Sequence, residues 1–132
     1  MGMYTNGGAT LLCGSISSEC DQLMIKFYEM KSNLREFMVA KNQRSWLVSS
    51  AITCSEGPNG SFFIHIGTEH KDYGDEFETI LEFILRWFNN AEGFAWKIYE
   101  EDDVPTFWII ANGVRHTMTI PDGITFQGYG LE

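Results

Sequence analysis

Five side chains able to hold a cation fall within one short stretch: Glu69, His70, Asp72, Asp75 and Glu76. Mixed carboxylates with an imidazole are ligand types for a divalent ion. Their spacing matches no calcium-binding loop, and a solvated acidic loop leading into a helix accounts for them. No metal and no other cofactor is expected. Cys13, Cys20 and Cys54 accompany His65, His70 and His116, so the residue types for nucleophilic catalysis are also present. The cysteines are odd in number, lack CxxC spacing and have no signature around them. They read as inert, reduced thiols of a cytoplasmic protein. A glycine-rich phosphate loop, a GxSxG elbow and an HExxH pair are all missing from the sequence. The chain therefore reads as a non-enzyme.

The residues left for function are of the binding kind. Trp108, Ile110 and Arg115, with Tyr99 and Lys97 on a neighbouring strand, are placed by strand alternation on one sheet face. If helices cover the other face, this one meets solvent, and Trp, Tyr and Arg dominate binding hot spots. The competing expectation is that the tail, Ile124 to Tyr129, folds back over it. Charge supplies a second candidate. The net charge is −9, and the segment from Glu69 to Asp103 holds eleven acids against Lys71, Arg86 and Lys97. Its sharpest run is Glu100, Glu101, Asp102 and Asp103. Such a balance argues against direct nucleic-acid binding, which needs a basic footprint. It suits a protein that meets a basic partner, with fast and salt-sensitive association.

These residues need elements to hold them. The segment Asp75 to Asn90 predicts the central helix: Phe77, Ile80, Leu81, Ile84, Leu85 and Phe88 recur at three- and four-residue spacing. Burying such side chains contributes about 1.5–3 kcal/mol each. Asp75 is the expected N-cap, with Glu76 and Glu78 in the first turn; Asn89, Asn90 and Gly93 are the expected stop. Phe83 and Trp87 widen its apolar face, as burial on two sides or a dimer interface would require. Ser18 to Lys41 predicts a second helix capped by Ser18. Its stripe runs Cys20, Leu23, Met24, Phe27, Met30, Leu34, Phe37 and Met38, with Lys26, Lys31, Arg35 and Lys41 on the far side.

Strands are expected over Ala9 to Ile16, Trp46 to Thr53, Ser61 to Gly67 and Ala95 to Glu101, the last with Trp96 and Ile98 buried. Thr68 to Gly74 reads as a polar loop. The strongest local signal is Asn112-Gly113 between TFWIIA and VRHTMTI, which predicts a type I′ hairpin. Its register sets Ala111 opposite Val114, Ile109 opposite His116 and Phe107 opposite Met118. That apolar set is expected to face the core, His116 included.

Together these predict a single α+β domain over 1–132: a two-layer sandwich of a mainly antiparallel sheet, about five strands, with two helices on one face. Residues 1–8 and 124–132 are expected as loose ends or cloning remnants. The expected function is a non-enzymatic acidic binding protein that engages and inhibits a protein partner, by analogy with immunity proteins or phage anti-defence inhibitors. Glu100, Glu101, Asp102, Asp103, Trp108, Ile110, Arg115 and Tyr99 are its candidate contacts. One alternative is a secretion-chaperone-like homodimer that pairs through Phe83 and Trp87 and binds an unfolded segment. Another is a binder of a small, nucleotide-like ligand using Trp108, Arg115 and His116.

Overall fold

The computed structural model describes residues 3–15, 20–72, 75–100 and 104–118. In chain order the elements are β1 (Met3–Ser15), α1 (Cys20–Ala40), α2 (Trp46–Ala51), β2 (Ile52–Glu56), β3 (Ser61–Asp72), α3 (Glu76–Trp87), β4 (Glu92–Tyr99), β5 (Thr106–Ala111) and β6 (Val114–Thr117). The strands form one antiparallel sheet in the order β2-β3-β1-β4-β5-β6. The α+β class is as expected, with six strands and three α-helices among the described residues. No helix among the described residues is long and apolar enough to cross a membrane.

The largest departure is at the start. Residues 3–8 are not a loose end: they open β1, which pairs with β3 on one side and β4 on the other. Glycine weakens an isolated strand, but here it is what the site requires. A Cβ on Gly7 would lie 2.7 Å from the Phe77 ring, and one on Gly8 would lie 2.8 Å from the Trp96 indole nitrogen. Pairing on both edges supplies the stability that local composition does not.

A second correction concerns Trp46 to Thr53. The segment is helical to Ala51 and only then extended. Leu47, Val48 and Ala51 are buried and Ser49 and Ser50 exposed, a helical spacing that a short apolar run does not reveal. The third is the polar loop: β3 continues through it to Asp72.

The two long helices have the expected stripes. Phe27, Met30, Leu34 and Met38 of α1 are buried, as are Phe77, Ile80, Leu81, Ile84 and Leu85 of α3. The bases of α1 do not form a remote face. Lys26 lies over Phe88, Lys41 lies over Phe37, and Lys31 donates to the Ile52 carbonyl at 3.1 Å. The far side instead carries Ile25, Tyr28 and Val39. Ser18 lies outside the described residues.

Asp75 caps α3 differently from expectation. Its side chain makes no cap bond and its backbone is left-handed, φ 53°. Its carbonyl accepts the Thr79 N–H at 2.9 Å and the Thr79 hydroxyl at 3.0 Å. The helix ends at Trp87, ahead of the expected stop, and Gly93 lies inside β4. Phe83 is buried and stands 5.1 Å from Phe37, with Trp87 stacked on it at 6.4 Å. Phe83 is thus spent within the chain.

Candidate functional site

Register divides the strands into two faces. Ile52, Ile66, Ala9, Ala95 and Trp108 form one cross-strand row; Thr53, His65, Thr10, Phe94, Ile109 and His116 form the next, pointing the other way. The first face meets helical side chains: Phe62 contacts Phe27 of α1, and Trp108 stacks on Phe77 of α3 at 6.1 Å.

This reverses the expected roles of the last hairpin. Its turn and pairing are as predicted, with Asn112 at φ 50° and Gly113 at φ 73°. Trp108, Ile110, Arg115, Tyr99 and Lys97 do share a face, but it is the covered one. Trp108 and Ile110 are 6% and 2% exposed. Arg115 lies over the Trp108 ring at 5.0 Å and pairs with Glu82 of α3 at 2.8 Å. These residues are core and its lid, not an exposed hot spot. His116 is exposed rather than core-facing, so the expected pocket of Trp108, Arg115 and His116 is split across the sheet. On β4 the parity is also reversed: Ala95 and Lys97 are buried, whereas Trp96 and Ile98 look outward. Small Ala95 leaves room beside Trp108, its partner in register.

At one end of the covered face lies a buried ionic cluster. Glu76 accepts from the Arg44 main-chain N–H at 3.0 Å and from its guanidinium, and His70 stands 3.9 Å away. Burial alone would raise the Glu76 carboxyl, but the Arg44 bonds outweigh it and hold the pKa below the ordinary value. Lys97 donates to Glu78 at 2.5 Å and to the Tyr99 hydroxyl at 2.9 Å. Burial acts to lower its pKa, yet these partners raise it above the usual lysine value. A lysine held charged in this way is a poor nucleophile. Burial pushes the Cys13 thiol up to about 12, and Cys54 is also raised by burial. Thiols so shifted stay protonated at neutral pH.

Strand alternation also breaks up the acidic stretch. Glu69 and His70 point to opposite faces of β3, and Glu76 is taken by Arg44. Among the described residues no three His, Cys, Asp or Glu side chains gather to hold a metal. Of the acidic run, Glu100 is exposed just beyond β4; Glu101, Asp102 and Asp103 lie outside the described residues, as does the tail from Ile124 to Tyr129.

The open face is the remaining candidate. Phe94 and Val114 are 50% and 52% exposed, and Leu12, Ile109 and Met118 are exposed as well. Trp96, Ile98, Phe107 and Phe63 are half-buried among them. Large exposed apolar patches mark interaction surfaces. The charged side chains described on this face include the acids Glu69 and Glu92. Its histidines sit toward either side: His65 shares a 2.7 Å hydrogen bond with Ser55, and His116 is exposed on β6. Sequence reasoning missed this face because β5 carries bulky apolar residues on both parities, and on β4 the bulky apolar set, Phe94, Trp96 and Ile98, is the one that turns outward.

The architecture is thus that of an α+β protein whose six-stranded sheet, among the described residues, leaves one face open. No protein-family model, curated protein or solved structure matches the chain.

Proposed function

We propose that the protein is a non-catalytic binding protein that engages a basic protein partner through the open face of its sheet. The supporting observation is that face itself: exposed apolar side chains from four strands, accompanied by the acids Glu69 and Glu92. An apolar centre with charge at its margin is how protein interfaces are built. A chain of charge −9 repels acidic partners and steers basic ones toward it. Inhibition of that partner, in the manner of an immunity or anti-defence protein, is the biological role this reading suits; it rests on analogy.

The test is affinity capture from the native host with wild type and with a Phe94→Glu/Ile109→Glu variant, followed by cross-linking and mass spectrometry. The expected result is a partner whose cross-links join a basic segment to β4 and β5 and whose capture is lost with the variant. Capture that survives the double substitution, or cross-links confined to α1 and α3, would sink the proposal.

A further inference from the structure

The open face contains a depression of about 500 Å³, and its lining is chemically specific. Gly8 and Gly67 are directly paired across β1 and β3, so two neighbouring strands bring no side chain to the sheet surface there. Asn6, Glu69, Trp96 and Ile98 stand around the gap. The indole of Trp96 leans over Gly8, 2.8 Å from where a Cβ would be. Glu69 is the one ionisable side chain lining the depression among the described residues. An aromatic wall, an aliphatic wall, an amide and a single carboxylate suit a ligand with an apolar stem and one positive charge at its tip.

We infer that this depression receives a lysine or arginine side chain from the basic partner, with the stem between Trp96 and Ile98 and the charged head at Glu69. The inference rests on the open face being the docking surface. It adds the anchor that fixes a partner segment on that surface: one side chain in a pocket, surrounded by flat apolar contact, is a common hot-spot arrangement. Gly67 provides the means to test it. A Cβ added there meets nothing within 4 Å, so Gly67→Leu fills the depression without disturbing the strand.

The experiment uses short capped peptides of alternating apolar residues with a central lysine, arginine, norleucine or glutamate, titrated against the full chain. Binding is followed by the Trp96 indole N–H resonance, assigned with Trp96→Phe. Lysine and arginine peptides are expected to bind best, the norleucine peptide more weakly, the glutamate peptide least. Glu69→Gln is expected to cut the lysine-over-norleucine preference about fivefold, as a partly exposed charge pair would. Gly67→Leu should abolish the indole shift while the melting temperature holds. An unchanged preference in Glu69→Gln overturns the proposal, as does retained binding in Gly67→Leu. So does lysine amide alone binding as tightly as the peptide, since that describes a small-molecule site. The captured partner separates the two readings. If Phe94→Glu/Ile109→Glu loses it and Gly67→Leu keeps it, the face is the docking surface and the pocket inference is wrong. If the double variant keeps it, the surface itself is wrong.

Discussion

Glu76 is the residue on which most local chemistry converges. It is buried at the start of α3, accepts the Arg44 main-chain N–H and guanidinium, and stands near His70. Replacing it with glutamine keeps the shape and removes the charge. Arg44 is partly solvated, so the loss is smaller than for a fully enclosed pair, about 1–3 kcal/mol. The sign with pH follows from the lowered pKa. A depressed carboxyl adds stability above its unfolded value of 4.5 and loses it as pH falls through the folded value. Thermal melts of Glu76→Gln and wild type should therefore differ most near neutrality and converge in acid. A gap that stays constant down to pH 3 would show that the Glu76 charge is not what Arg44 holds. Lys97 behaves oppositely. Its raised pKa adds stability below 10.5 that disappears as the solution is made more alkaline than the folded value. Neither ion pair follows from spacing, because Arg44 and Glu76 are 32 residues apart and meet only after the chain has folded.

At the scale of elements, the last hairpin and α3 are the parts whose local sequence already names their conformation. Asn112 and Gly113 both take positive φ, and the Gly113 N–H donates to the Ala91 carbonyl at 2.9 Å. A Cβ at Gly113 would lie 2.4 Å from the Asn89 carbonyl oxygen. Gly113→Val is thus strained by φ and by contact, and is expected to cost roughly 1–3 kcal/mol. Asn112→Gly, which suits the same turn, should be close to neutral. Equal melting temperatures for the two would remove the turn from the account of stability. Phe77→Ala tests the other element. Phe77 is fully buried, stacks on Trp108 and stands over Gly7, so its loss should cost about 3–5 kcal/mol in denaturant titration. A much smaller value would mean that α3 is not seated on the sheet centre. The segment at Trp46 was unreadable for a physical reason. A run of six residues fits one helical turn or a strand, and only burial of Leu47, Val48 and Ala51 decides between them.

For the whole molecule, the question is which sheet face the helices occupy. A Phe94→Glu/Ile109→Glu protein should fold with only a modestly lowered melting temperature: both side chains already meet water, and the two carboxylates, directly opposed across β4 and β5, repel at a cost of about 0.2–1 kcal/mol. It should also bind less of a hydrophobic dye than wild type, since that dye reports exposed apolar surface. A large loss of stability would mean that the open face is covered in solution. The acidic balance acts at this scale too. Raising salt should slow association with a basic partner while leaving the fold alone, because screening weakens long-range attraction more than packing.

Local chemistry was enough to establish the α+β class, the stripes of α1 and α3, the β5–β6 pairing and the acidity, because these depend on residue type over a few positions. Tertiary structure alone decided which parity of β4 and β5 turns inward, since β5 is bulky and apolar on both parities and β4 turns its bulky set, Phe94, Trp96 and Ile98, outward while Ala95 and Lys97 are buried. It also decided that Met3 to Gly8 forms half of a central strand. Fit against Phe77 and the Glu78–Lys97 ion pair make those choices, and both contacts join residues far apart in the chain.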